Sequence, residues 1–151
     1  HAERSQGFNN VITADFQHMY ELDPILTKDD PTVLNAAATA TLAGGDGVTA
    51  FYNVGAGNSG LIDAIANASV ARPFCVVHEL VTHSKQALID NHIDLVIDQR
   101  PDVEVNRAFA ILRSLVDDRE PPPMPDLMPT IYVRDNLPAD SFNDVMEAQN
   151  T

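Results

Sequence analysis

Three polar side chains stand at the ends of short apolar segments, each of which precedes a helix-like segment. They are Asn53, Glu79 and Gln99. In an open parallel sheet, ligands bind outside the carboxyl ends of the strands, so these side chains are expected to meet in one crevice. Amide and carboxylate groups are good hydrogen-bonding partners for hydroxyl groups. Their types predict a binding site for a sugar-like polyol, and we expect no catalytic residue and no enzyme activity.

A glycine-rich turn suggests a second kind of function. Residues 55–60 read G-A-G-N-S-G between a strand and a helix, and Glu79 ends the next strand. Such glycines let a backbone approach a pyrophosphate, and an acid after the next strand can bind a ribose. Against this, Asn53 and Val54 separate the strand from the glycines, and the motif is not in the first unit of the chain. An NAD-dependent oxidoreductase is the alternative, and a tight turn that approaches some other ligand is the simpler interpretation.

Histidine and cysteine spacing predicts no metal site and no nucleophile. His78 and His83 are one position too far apart for the zinc motif H-E-x-x-H. At ~100° per residue they would lie roughly 140° apart around a helix. Cys75 lies inside an apolar run, which favours a small buried side chain over a reactive one. We expect His78 to be a pocket wall or a core residue, and Asp98 to be a solvated strand end.

Composition limits the partners. The 151 residues include 22 acidic and 9 basic side chains, which leave a formal net charge of −13. Such a surface repels phosphate backbones, so this chain by itself is not expected to bind DNA or an anionic membrane. No apolar stretch reaches the roughly 20 residues that span a bilayer, and no leader segment is recognised. The length fits one domain.

Apolar periodicity predicts an α/β domain. Asp30 and Pro31 read as an N-cap and a first helical position, and Gly44 and Gly45 as a helix stop. Alternating strands and helices predict a three-layer, doubly wound, Rossmann-like arrangement with a mostly parallel sheet covered on both faces. The predicted elements are helix 3–14, strand 16–21, helix 31–43, strand 48–53, helix 58–69, strand 74–78, helix 83–91, strand 93–98, helix 102–117 and a last strand at 130–133.

The helix predicted at 102–117 carries an apolar stripe at helical spacing, which predicts a side packed in the core. The stripe consists of Val105, Phe109, Leu112 and Val116. Residues 1–138 are expected to form the folded lobe, and residues 139–151 a polar tail.

Five segments in order resemble one known group, the lac-repressor and periplasmic sugar-binding superfamily. Residues 3–8, E-R-S-Q-G-F, are similar to the R-x-x-G-F of its first helix, and 48–60 resembles its strand with a terminal asparagine and a following glycine-containing helix. Residues 76–79, V-V-H-E, stand where the family has V-G-F-D, and 97–101 matches I-x-Q-x-P. Residues 131–138 resemble the closing segment of the regulator branch.

The resemblance implies a site and its ligand. An arginine, an asparagine, an aspartate and a glutamine hold the sugar hydroxyls in that group, which places these roles on Arg4, Asn53, Glu79 and Gln99. Glutamate instead of aspartate reaches one methylene further, and Val54 stands where an acid often follows the asparagine. Both departures concern which sugar-like ligand binds. No cofactor and no metal are implied.

The resemblance also implies an assignment for the whole protein. The chain is similar to the C-terminal lobe of a type I periplasmic-binding fold, with the first lobe absent. We expect the effector-binding portion of a lac-repressor-family transcriptional regulator, a cytoplasmic homodimer that contacts its DNA operator only through an N-terminal helix-turn-helix absent from this chain. The alternative is a periplasmic sugar-binding protein of an ABC transporter.

Overall fold

Residues 1–45 and 47–139 are described by a computed structural model of the chain. Most elements lie within a few residues of their predicted bounds, although the helices and strands are often shorter. The elements are α1 (Ala2–Asp15), α2 (Pro31–Ala43), β1 (Ala50–Tyr52), α3 (Asn58–Ala66), β2 (Phe74–His78), α4 (Thr82–Ile89), β3 (Leu95–Asp98), α5 (Pro101–Val116), β4 (Thr130–Tyr132) and a 3-10 turn at Arg134–Asn136. The polar tail predicted at 139–151 lies outside the described residues except for its first position.

The sheet has four strands in the order β1-β2-β3-β4. The pairs β1–β2 and β2–β3 are parallel, whereas β4 runs antiparallel to β3. The prediction of an α/β fold with a mostly parallel open sheet is therefore confirmed. Because β1, β2 and β3 run in one direction, the residues that follow them emerge at the same edge of the sheet.

The core is formed by the strands and by α2, α3 and α4. Cys75, Val77 and Val96 are fully buried. Burial raises the pKa of the Cys75 thiol to about 12, so the thiol stays protonated and the prediction of an inert buried side chain is confirmed. The buried apolar residues are Leu34, Ala38, Leu42, Leu61, Ile62, Ala64, Ile65, Cys75, Val77, Ala87, Leu88, Ile93 and Val96.

The beginning of α2 has the predicted cap. Asp30 has an extended backbone, and its Oδ1 accepts hydrogen bonds from the backbone N–H groups of Thr32 (2.8 Å) and Val33 (3.2 Å). Pro31 occupies the first helical position, where no N–H partner is needed. This local chemistry explains why α2 begins where the sequence predicts.

The strand predicted at 16–21 is wrong. Residues 16–21 contain a turn in which the N–H of Met19 donates to the carbonyl of Phe16 at 2.8 Å, and they join no ladder of the sheet. Apolar side chains in this segment are exposed, with Tyr20 at 88%. A strand needs a partner edge for its backbone groups, and the presence of aromatic and apolar residues in a short segment does not supply one.

The core stripe predicted on the helix at 102–117 is also wrong. Val105, Phe109, Leu112 and Val116 are between 52% and 85% exposed, and no residue of α5 is buried. The helix does form, and its first position is Pro101, as helix-start chemistry allows. Periodicity shows that a helix has an apolar side, but burial of that side requires another element against it.

An ion pair at the amino ends of the strands fixes how β2 and β3 meet. Arg72 donates twice to Asp94, at 2.7 and 2.6 Å, and the backbone N–H of Cys75 donates to the same carboxylate at 2.7 Å. The N–H of Asp94 in turn donates to the Cys75 carbonyl at 2.9 Å. The hydrogen bonds from Arg72 hold the pKa of Asp94 below its usual value.

We expect Asp94→Ala to lower the free energy of unfolding by about 2 kcal/mol, because it removes charge-assisted hydrogen bonds and leaves a backbone N–H without its acceptor. Since the pKa of Asp94 is lowered on folding, this contribution is present above the unfolded-state pKa and is lost as the pH falls below it. Urea unfolding measures the effect. Asp90→Ala, at an exposed position, should change stability by less than about 0.5 kcal/mol; equal effects of the two variants would contradict the role of Asp94.

Candidate functional site

Three loops meet at the carboxyl edge of the parallel strands, and each carries one predicted site residue. Asn53 follows β1, Glu79 follows β2, and Gln99 follows β3. The ladder extends to the first two, since the N–H of Asn53 donates to the Val76 carbonyl (2.9 Å) and that of Glu79 to the Ile97 carbonyl (3.1 Å). The three positions therefore lie on neighbouring strand ends at one edge of the sheet, as the sequence predicts.

Asn53 organises the loop that it begins. Its Nδ2 donates to Asn58 Oδ1 at 2.7 Å and to the Ala56 carbonyl at 3.1 Å. The buried Asn58 then donates to the carbonyl of His78 at 2.7 Å, across to the end of β2. Sequence reasoning missed Asn58, for which the only signal was a polar amide at the start of a helix.

Arg4 reaches the same loop from the first turn of α1. Its Nη1 donates to the carbonyl of Val54 at 2.7 Å, and the residue is half-buried. A cation at a helix start is unfavourable next to the macrodipole, so Arg4 needs a compensating partner. That partner is a backbone carbonyl, which places the guanidinium against the loop that follows β1.

Glu79 and Gln99 line one open cleft of about 340 Å³. Both residues are exposed. Arg4 and Asn53 are outside the set of residues that line this cleft, so the four predicted residues fall into two adjoining pairs along the edge. The lining residues are Glu79, Leu80, Val81, Asp98, Gln99, Pro101 and Glu104.

The backbone of Glu79 is left-handed, with φ at +74°. A residue with a Cβ adopts this conformation at a cost of about 1–2 kcal/mol, and such strain concentrates at functional positions. The turn is held by Ser84, whose buried Oγ donates to the Glu79 carbonyl at 2.7 Å. Glutamate therefore occupies a conformation that glycine would adopt without this cost.

The buried His78 and the half-buried Tyr52 form a pair behind these loops. The Tyr52 hydroxyl and His78 Nε2 are 2.9 Å apart, and the Phe8 ring lies 5.0 Å from the Tyr52 ring between centroids. His78 is 4% exposed, and its Nδ1 has no hydrogen-bond partner among the described residues. Burial, together with the positive charge of Arg4, lowers the pKa of His78 to about 4, so the ring is neutral at pH 7.

The glycines of the 55–60 turn face the protein's own chain. Asp29 Oδ1 accepts a hydrogen bond from the N–H of Ala56 at 2.8 Å, and a Cβ on Gly55 would lie 2.5 Å from that oxygen. Gly57 has a left-handed φ of +80°, and a Cβ on Gly60 would collide with the Pro31 carbonyl. The turn that would bind a pyrophosphate is thus next to a carboxylate, which repels phosphate. The glycines serve packing against residues 29–31 and give no support to nucleotide binding.

Neither a metal site nor a membrane-spanning helix is found within residues 1–45 and 47–139. No group of three histidine, cysteine, aspartate or glutamate side chains is arranged to hold a metal ion there. Over the same residues, no helix combines the length and the apolar character needed to cross a bilayer.

Asp98 is not the solvated strand end that we expected. It is half-buried, and its Oδ1 and Oδ2 accept hydrogen bonds from the backbone N–H groups of Leu80 and Arg100, both at 3.1 Å. Arg100, like Glu79, has a left-handed backbone, with φ at +58°. The sequence shows that a carboxylate ends β3. It does not show that this carboxylate contacts the loops after β2 and β3.

Solved structures show which fold this is, although no family model and no curated protein matches the sequence. AraP, an arabinose binding protein from Geobacillus stearothermophilus, is similar at 18% identity with a TM-score of 0.71, over 90% of this chain and 50% of that one. A galactofuranose binding protein is similar at 15% identity with a TM-score of 0.69, and the match covers 99% of this chain and 51% of that one. GanP, a glucose-galactose binding protein from Geobacillus stearothermophilus, is similar at 14% identity with a TM-score of 0.60, and the match covers 72% of this chain and 39% of that one.

These likenesses establish the fold. The chain has the architecture of one lobe of a type I periplasmic-binding-protein-like fold, with an open, mostly parallel sheet at whose carboxyl edge the predicted residues lie. The chain spans about half of the length of the first two structures and less of the third.

Proposed function

We propose that this chain is a sugar-binding lobe and that Arg4, Asn53, Glu79 and Gln99 hold the ligand. One observation carries the proposal. Parallel strands β1, β2 and β3 deliver three of these residues to one edge, in a fold shared with an arabinose binding protein, a galactofuranose binding protein and a glucose-galactose binding protein.

The chemistry of the four side chains suits hydroxyl groups. The Glu79 carboxylate accepts hydrogen bonds, the guanidinium of Arg4 donates them, and the amides of Asn53 and Gln99 do both. Each sugar hydroxyl is a donor and an acceptor, so such a set can satisfy both sides of several hydroxyls. The nearby His78 is neutral at pH 7 and buried, and Cys75 is a protonated thiol in the core. This set supports a binding protein without catalysis.

For the whole protein, we propose the effector-binding portion of a cytoplasmic, homodimeric transcriptional regulator of the lac-repressor type. The support is the likeness of residues 131–138 to the closing segment of that branch. With a net charge of −13, this chain would leave contact with DNA to a separate helix-turn-helix. A periplasmic transporter component is the second candidate, because the similar solved structures are described as sugar-binding proteins.

The test is calorimetric titration of the full-length protein with L-arabinose, D-galactose, D-glucose and NAD. We expect at least one sugar to bind and Glu79→Gln to weaken that binding roughly tenfold or more, as loss of a charged hydrogen-bond acceptor does. Asp90→Ala is the control, because Asp90 follows α4 at the end remote from Glu79. NAD binding with no response to any sugar would overturn the proposal.

A second measurement separates the two candidate proteins. A regulator should bind a specific duplex from upstream of its own coding region, and the sugar should change that affinity because binding at the two sites is coupled. We expect the change in the wild-type protein and its loss in Glu79→Gln. A full-length protein that binds the sugar but no duplex would favour the transporter component.

Glu79→Gly should change stability and binding in opposite directions. Glycine adopts a positive φ without a steric cost, so we expect the free energy of unfolding to rise by up to about 1 kcal/mol while sugar affinity falls at least about tenfold. Glu79→Gln retains the strain and loses only the charge, so it should lower affinity without the gain in stability. Thermal unfolding and calorimetry on the same samples check both. A glycine variant that is less stable than the wild type would show that the strain has another origin.

A further inference from the structure

Two of the three strand-end loops are joined by a carboxylate that lines the cleft but is not one of the four residues proposed to hold the ligand. Asp98 ends β3, and each of its oxygens accepts one backbone N–H. The N–H of Leu80 belongs to the peptide bond that leaves Glu79, and the N–H of Arg100 belongs to the peptide bond that leaves Gln99. One side chain therefore orients the peptide groups directly after both residues of the cleft.

Both loops need such an anchor. Glu79 and Arg100 have left-handed backbones, at φ +74° and +58°, and neither is a glycine. Residues with a Cβ keep this conformation only where surrounding contacts impose it. The sheet ladder ends at the bond from the Glu79 N–H to the Ile97 carbonyl. Beyond that point Asp98 accepts one hydrogen bond from the neighbouring loop, through Leu80, and one within its own loop, through Arg100.

We propose that Asp98 is the positioning residue of the cleft: it fixes the backbones of Glu79 and Gln99 so that their side chains are presented together. This rests on the proposed sugar-binding function for its effect on affinity, but not for its effect on the loops. A preorganised site loses less conformational freedom on binding, so the anchor contributes to affinity through the position of the two loops.

The carboxylate is required because both acceptors must be oxygens. In Asp98→Asn one oxygen is replaced by an NH2 group, which cannot accept an N–H, so one of the two bonds is lost. Asp98→Ala loses both. The pair of variants therefore forms a graded series at one position.

The test combines amide hydrogen exchange with calorimetry on the full-length protein. We expect Asp98→Ala to increase exchange at both Leu80 and Arg100, and Asp98→Asn to increase it at one of them. For whichever of L-arabinose, D-galactose or D-glucose the wild type binds, we expect Kd to rise about tenfold or more in Asp98→Ala and less in Asp98→Asn. Asp90→Ala, which removes a carboxylate at the far end of α4, should leave exchange at both amides and Kd unchanged.

The outcomes separate the two proposals. Unchanged exchange at both amides in Asp98→Ala would overturn the positioning role, as would faster exchange with an unchanged Kd. An equal loss of affinity in the alanine and asparagine variants, with both amides exposed in each, would also overturn the graded mechanism. If the wild type binds none of the three sugars, the proposed function fails, and the exchange data alone decide whether Asp98 anchors the loops.

Discussion

Gly60→Ala is expected to lower the free energy of unfolding by about 3 kcal/mol, the upper part of the range for overpacked positions. Gly60 lies in the first turn of α3, and a Cβ there would collide with the carbonyl oxygen of Pro31 and lie 2.7 Å from its carbon. These are backbone atoms at the start of α2, so no side-chain rotation can relieve the contact. The two helices would have to separate along the face that buries Leu34 and Leu61.

The matched control is Gly7→Ala. Gly7 also lies inside a helix, α1, but a Cβ there would have no atom within 4 Å. Alanine is favoured over glycine in a helix by about 1 kcal/mol, so this variant should be more stable than the wild type. Urea unfolding of both variants separates helix propensity from steric contact. A Gly60→Ala protein as stable as Gly7→Ala would contradict the close approach of α2 and α3.

The second large effect is a fall in stability between pH 6.5 and about 4, caused by His78. Its pKa is lowered on folding from 6.5 to about 4, first by burial and then by the charge of Arg4. In this range the unfolded chain binds a proton that the folded chain does not bind, so stability falls as the pH falls. At ~1.4 kcal/mol per pH unit, the loss is about 3 kcal/mol at most, and it is absent above the unfolded-state pKa.

The comparison that isolates this effect is wild type against His78→Phe. Phenylalanine fills similar space, cannot be protonated, and removes the buried Nδ1 that lacks a partner. The pKa of His83 is also lowered, so it contributes in the same direction, but it is common to both proteins and cancels in the difference. Chemical unfolding at a series of pH values should give a steeper curve for the wild type from pH 6.5 to 4. Parallel curves would show that His78 is not buried in its neutral form.

If both predictions hold, the loops at the carboxyl edge of the sheet are supported by rigid packing around Gly60 and His78. Gly60 permits α3 to pack on α2, and α3 begins at Asn58, which binds the end of β2. His78, also at the end of β2, is packed beneath the loops with Tyr52. Variants that disrupt the packing around Gly60 or His78 should lower stability and also weaken the proposed ligand binding, because they change the position of the loops. Glu79→Gln should weaken that binding without a change in stability.

Local chemistry explains which expectations from the sequence were correct. The Asp30–Pro31 start of α2, the buried Cys75 and the parallel strands depend on neighbours a few positions away or on the apolar character of one segment. Those interactions are encoded within a short window. The placement of Asn53, Glu79 and Gln99 at one edge also follows, because consecutive parallel strands must end on the same side.

The expectations that were wrong all concern contact with a distant segment. Residues 16–21 were predicted to form a strand, yet they join no ladder. The stripe containing Phe109 is apolar at helical spacing, yet the residue is 66% exposed. Asp98 was expected to be a solvated strand end because the sequence shows its charge. The sequence does not show that the backbone N–H groups of Leu80 and Arg100 donate to its carboxylate.

The amino-acid order alone determined the class of fold, the helix starts and the edge at which Asn53, Glu79 and Gln99 lie, because these follow from periodicity, capping and strand direction. Only the tertiary structure decided which groups hold the loops at that edge in position. Asp98 and Leu80 are 18 positions apart, and Asp29 and Ala56 are 27 apart. Hydrogen bonds across such separations depend on how the loops pass one another in space, and no local pattern records that.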